Sequence, residues 1–200
     1  MTSFIPSLNI PDAVFTNQAA SILLPIVLGG ITGHTCSREE PHANGVLLLM
    51  LAARNKRAAA LKIRQPPGMP PPKAFPIAWT GLYALMGYAA NRAITAGLSS
   101  PLASDMTLAR KCATLYTVQL GLNVIWMPLF FVAHRPIEAT VDIVSLVGIN
   151  SCLVYTMGQL DTISGWCMVP YVAWLGFASY LCAGAGVLNG WNFSKKARED

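Results

Sequence analysis

The chain has 200 residues, 54% hydrophobic and 12% charged, with a mean hydropathy of +0.47. A soluble domain carries about 25% charged residues, so a water-soluble globule is excluded, and high hydrophobicity with little charge excludes intrinsic disorder. The formal net charge of +5 does not point to nucleic acid, because the basic residues lie mostly in two segments flanking apolar stretches, where membrane topology puts them; the chain reads as an integral membrane protein.

A spanning helix needs about 20 mostly apolar residues. Five stretches meet that length, at residues 13–33, 75–96, 112–133, 136–158 and 167–189. The first twelve residues hold no Lys or Arg, so neither a signal peptide nor an Arg-rich transit peptide is expected, and the spans themselves direct insertion. Span one carries Gly29 and Gly33 in a GxxxG pattern that lets helices approach closely. A long loop, residues 34–74, follows. Its apolar run GVLLLMLAA from Gly45 is too short to cross and leads into RNKR, which suits an interfacial helix or a loop. PPGMPPP further on cannot be helix.

Span two places Trp79 and Tyr83 four residues apart, on one face, where Trp79 could equally belong to an interfacial aromatic belt. In span three Gln119, Asn123, Trp126 and Phe130 share a face that joins hydrogen-bonding groups to large aromatic surfaces; packing between helices and contact with a ligand both account for it. Pro128 removes one backbone hydrogen bond and is expected to kink that helix. Span four holds Asp142, a costly residue in a membrane, which either lines a cavity or sits close enough to the interface to be hydrated. Span five carries Trp174 and Ala178, then Cys182, Gly186 and Gly190 at four-residue intervals. These close-approach surfaces suit packing within the chain or a dimer. Residues 190–200 form a basic tail.

Short loops after span two make consecutive helices antiparallel neighbours, so the expected fold is an all-α integral membrane protein, a single membrane domain built as an up-down bundle of five transmembrane helices. Eleven of the fourteen Lys and Arg fall on one side of that arrangement, in the long loop, at Arg135 and in the tail, against Arg92, Arg110 and Lys111 on the other. The excess places the long loop and the C-terminus in the cytosol. The five cysteines form no CxxC pair and fall mainly in apolar segments, so neither a disulfide framework nor a zinc site is expected. His34, His42 and His134 lie in loops, and neither an HExxH nor a GxSxG pattern occurs; no cofactor, no metal and no catalytic residues are expected. A cavity lined by Trp, Tyr, Asn and one Asp suits a large, flat, apolar ligand.

Three blocks, PPKAFPIAWTGLYALMGYAANR from Pro71, QLGLNVIWMPLFF from Gln119 and QLDTISGWCMVPYVAWLGFASYL from Gln159, together resemble the translocator protein family, also called tryptophan-rich sensory protein or peripheral-type benzodiazepine receptor. The resemblance covers most of residues 66–189. It implies a five-helix bundle, often a homodimer, that binds protoporphyrin IX and related tetrapyrroles, and in many members sterols, with the lipid bilayer as its setting. In eukaryotes it further implies the mitochondrial outer membrane with the C-terminus cytosolic. By position, the family's ligand-binding residues fall on Trp79, Tyr83, Asn123, Trp126, Asp142, Trp174 and Ala178. The first loop departs from the family pattern WYxxLxKPxWxPPxW: Ala59 and Ala60 stand for the WY pair, Gln65 for the lysine and Lys73 for the last tryptophan. These losses weigh against light- and oxygen-dependent porphyrin degradation, an activity claimed for some relatives, and leave transport or sensing as the leading reading; a scaffold that recruits cytosolic partners through the tail and loop is the other. A sterol pattern is formally met at Leu85, Tyr88 and Arg92, though such patterns are common by chance.

Overall fold

Where no water reaches a long apolar segment, its backbone is satisfied only within a helix or a closed barrel, and the chain takes the first course. The structure, a computed structural model, describes residues 9–37, 64, 66–71 and 74–192. Among them the regular structure is entirely helical: α1 (Asp12–Thr16), α2 (Gln18–Ser37), α3 (Ala74–Leu98), α4 (Ala103–Met127) prolonged by a π-helical turn (Pro128–Val132), α5 (Pro136–Leu160) and α6 (Thr162–Leu188). Three segments, Ala103–Phe130, Pro136–Leu160 and Thr162–Leu188, are long and apolar enough to cross a membrane.

The first expected span is not one element. Asn17 leaves the helical region (φ −95°, ψ 110°) and its side chain accepts the Ala20 N–H at 3.1 Å. It therefore caps a new helix from Gln18, as Asn does well. The five-residue α1 before it folds against the bundle. Phe15 is fully buried, its carbonyl accepts Asn91 Nδ2 at 2.6 Å, and the Ile10 N–H reaches Thr117 Oγ1 on α4 at 3.1 Å.

The remaining spans shift at their ends. α4 begins at Ala103, nine residues before the expected Cys112, since Arg110 lies exposed and a charged residue on a helix surface does not end it. α6 begins at Thr162 rather than Cys167, because Asp161 accepts both the Ser164 N–H and its hydroxyl and so starts the helix early. Pro128 does distort its helix as expected. With no N–H to give, it lets the turn widen until the Ala133 N–H closes on the Pro128 carbonyl at 2.9 Å, a π turn.

Connections of four, three and one residue join α3 to α4, the π turn to α5, and α5 to α6, which makes each pair antiparallel. α3 is the hub and touches α1, α2, α4, α5 and α6. It meets α2 backbone to backbone: Ser21 Oγ donates to the Gly87 carbonyl at 2.8 Å, and a Cβ on Gly87 would strike the Ser21 carbonyl and Ile22 Cα. Of the long loop, the described end lies on α6. The Asn189 amide pairs with both backbone groups of Arg64, at 3.0 and 2.9 Å, Tyr180 donates to the Pro67 carbonyl at 3.2 Å, and the Pro66 ring sits over Gly184. The apolar run from Gly45 with its RNKR, the departures at Ala59, Ala60, Gln65 and Lys73, His42, and residues 193–200 of the tail lie outside the described residues.

Candidate aromatic and polar site

The face of α4 read from the sequence points inward at its two amides. Gln119 and Asn123 are buried, and Asn123 sits between two tyrosines from different helices. Its Oδ1 accepts the Tyr83 hydroxyl of α3, and its Nδ2 donates to the Tyr171 hydroxyl of α6. One side chain thereby ties three helices in the middle of an apolar core. Tyr171, fully buried, was not among the sequence candidates, although it is the tyrosine of the PYxxW block and stands three residues before Trp174, on the same helix face.

Around this triad the aromatic rings meet tilted or edge to face. Trp79 lies 5.3 Å from Tyr83, 6.2 Å from Tyr171 and 6.3 Å from Trp174, centroid to centroid. Phe75 and Phe177 flank Trp174 at 5.7 and 5.9 Å. Rings at these separations attract beyond the area they bury, and Trp79 takes its place in this cluster. Gly29 of α2 abuts the Tyr83 ring, leaving no room for a side chain there. That settles one of the small-residue surfaces: Gly29 packs inside the chain, as does Cys182, which is buried with its sulfur 3.3 Å from Thr140 Oγ1 on α5. Gly186 likewise faces the Trp191 ring.

Trp126 stacks on Phe130 at 5.4 Å, with the rings 16° from parallel, across the π turn that Pro128 creates. Asp142 is buried on α5, within electrostatic reach of Tyr171 and Cys182. Its Oδ2 has no hydrogen-bond partner among the described residues, nor has Trp174 Nε1. Ala178 packs on the same core. The seven sequence candidates thus come to the inner faces of α3, α4, α5 and α6, with Trp79, Tyr83, Asn123 and Trp174 in one cluster around Tyr171.

An open apolar groove of about 660 Å³ runs along the outside of α3 and α6, lined in part by Ile77, Gly81, Leu85, Pro170, Trp174 and Phe177. Trp174 is the only one of the seven to line it, so this indole belongs both to the groove wall and to the inner cluster. Among the described residues no group of three or more His, Cys, Asp or Glu could hold a metal ion. What the site offers a ligand is flat apolar surface, an amide, phenol hydroxyls and one carboxylate.

A charged site stands apart at the far end of α3. Arg92 grips Asp161 with two nitrogens at 2.9 and 3.0 Å, and hydrogen bonds from Arg92 hold the Asp161 carboxyl well below the usual carboxylate range.

The sequence model of the TspO/MBR family matches residues 21–188. A translocator protein homolog of Schizosaccharomyces pombe is 42% identical over 127 residues, which are 63% of this chain and 74% of the relative. A tryptophan-rich sensory protein of Cereibacter sphaeroides is 34% identical over 123 residues, 62% of this chain and 71% of the relative. The translocator protein of Sus scrofa is 31% identical over 119 residues, 60% and 68% respectively.

Proposed function

The chain belongs to the TspO/MBR family, and from that premise we propose that it is a membrane translocator or sensor that takes a tetrapyrrole such as protoporphyrin IX, or a sterol, between α3, α4, α5 and α6. The observation that carries this reading is the Tyr83–Asn123–Tyr171 triad under Trp79 and Trp174. It combines rigid flat apolar walls with a few fixed polar groups, the makeup of small-molecule sites. Asp142 Oδ2 and Trp174 Nε1, buried without hydrogen-bond partners among the described residues, supply one acceptor and one donor for the ligand's polar edge. Affinity comes chiefly from apolar burial, at about 25 cal/mol per Å².

In this reading α2 to α6 are the five spans of an up-down bundle, the protein pairs as a homodimer, and the C-terminus lies in the cytosol, on the outer mitochondrial membrane in a eukaryotic cell. The relatives' names speak of translocation and sensing, which supports binding and passage over bond-making chemistry.

The test is a titration of the purified full chain with protoporphyrin IX, and separately with cholesterol, following the fluorescence of its five tryptophans. Trp174→Ala and Trp79→Phe are run beside it. Saturable quenching at a fixed stoichiometry, with Kd raised about tenfold in Trp174→Ala, a loss of about 1.4 kcal/mol, is the expected result. Linear quenching that never saturates means the porphyrin merely enters the detergent micelle, and overturns the tetrapyrrole assignment.

A further inference from the structure

A second buried polar cluster lies along α4, one to two turns from Asn123 and apart from the aromatic site. Tyr116 and Gln119 stand three residues apart on the inward face of α4, and Asn150 on α5 is equally buried, all three at most 1% exposed. Helix register brings them to one level. Cys112 lies within electrostatic reach of Thr156 and Cys152, so it faces the middle of that turn of α5. One turn further along the antiparallel pair, Tyr116 stands opposite Asn150. On the α3 side, the contacts Tyr83 to Asn123 and Met86 to Gln119 put Ala89 and Ala90 level with Tyr116.

The amides are oriented by the bonds they already make. Asn150 Nδ2 donates to the Leu146 carbonyl at 2.9 Å, and Gln119 Nε2 reaches Met86 Sδ at 3.1 Å. Each amide therefore turns its oxygen the other way. Gln119 Oε1, Asn150 Oδ1 and the Tyr116 hydroxyl have no hydrogen-bond partner among the described residues. Buried polar groups are very rarely left so, and an apolar core offers them nothing.

Two carbonyl oxygens and one phenol complement a single small molecule that gives two protons and accepts one. Water does this, and a buried water commonly makes about three such bonds. Ammonium lacks the acceptor that the phenol proton needs, and Ca²⁺ or Mg²⁺ requires about six or more oxygens. Room comes from short side chains: Ala89, Ala90, Ala93 and Ala113 are all buried here. Phe15 closes the cluster on the side of α1, its ring edge-on to Tyr116 at 5.6 Å.

We propose that Tyr116, Gln119 and Asn150 hold one water molecule sealed inside the bundle, linking α4 to α5. By fixing α4 about its axis, this water sets the direction in which Asn123 and Trp126 point; all three residues are positioning residues.

The experiment uses the full chain in phosphatidylcholine nanodiscs and has two arms. In the first, NMR cross-relaxation is sought between a long-lived water and the side-chain amide protons of Gln119 and Asn150, with Tyr116→Phe as the comparison. Cross-peaks in the parent that weaken in the variant are expected, and their absence from the parent overturns the proposal. In the second, thermal midpoints are compared. Asn150→Leu strands the other two groups and lowers the midpoint by at least about 3 °C. The triple variant Tyr116→Phe, Gln119→Met, Asn150→Leu leaves nothing to satisfy and recovers most of that loss. Losses that simply add across the three substitutions overturn the proposal, because independent groups share no water.

Discussion

Asn123 can be replaced by no residue of its own size without loss, because its donor and its acceptor are both engaged by tyrosines. Asp in its place has no proton for Tyr171, and Leu serves neither. A buried hydroxyl without a partner costs about 1–3 kcal/mol, so Asn123→Leu is expected to lower the thermal midpoint by several degrees, and Asn123→Leu combined with Tyr83→Phe and Tyr171→Phe to restore part of it; differential scanning in detergent reads both. Asp161 gives a pH dependence of known sign. Its carboxyl titrates lower in the folded protein than in the unfolded chain, so its stabilisation is complete above about pH 4 and fades as pH falls below that value. Unfolding midpoints should therefore be level from pH 7 to 5 on this account and drop toward pH 3, with a shallower drop in Asp161→Asn. The same ion pair bears on the pattern Leu85, Tyr88, Arg92: its basic residue already serves Asp161 and contacts the Tyr88 hydroxyl at 3.4 Å. The aromatic and amide candidates were legible because helix spacing puts Trp79 with Tyr83, and Asn123 with Trp126, on shared faces. The bond from Arg92 to Asp161 joins residues 69 apart, and no local period reports such a pairing.

At the scale of the element, sequence hydropathy placed the starts of α3 and α5 within one residue, set those of α4 and α6 late, and missed the break at Asn17. A helix begins where a side chain satisfies its free N–H groups, and Asn17 and Asp161 do this within stretches that otherwise read as apolar span or loop. Asn17→Ala is expected to cost about 1 kcal/mol, seen as faster amide exchange over the first turn of α2 with α3 unaffected. Pro128 is the opposite case, since its missing N–H was plain in the sequence while the form of the distortion was not. Pro128→Ala restores the donor and lets the turn revert to α-helical winding. Phe130 then moves off the Trp126 ring, now 5.4 Å away, and a shifted Trp126 emission spectrum in the four-tryptophan-free background reports it; unchanged emission would mean that the proline does not hold the stack.

The whole molecule is organised on α3, whose contacts with the five other α-helices depend on small residues at chosen points. Gly87→Val drives a side chain into the backbone of α2, where only Gly leaves room, and is expected to abolish a cooperative thermal transition. Gly81→Ala, with nothing within 4 Å of the added carbon, is expected to stay within about 0.5 kcal/mol of the parent, as judged by the same melting curve. The hub was hidden in the sequence because Ala89, Ala90 and Ala93 are weak signals one by one, and their burial comes from the helices packed around α3. The clasp between Asn189 and the backbone of Arg64 also has a bearing on biosynthesis. Residues 64–67 leave the ribosome more than a hundred residues before Tyr180, Gly184 and Asn189. During translation residues 64–67 thus stay unfastened while α3, α4, α5 and α6 are made, and they are drawn down only once Asn189 has been added.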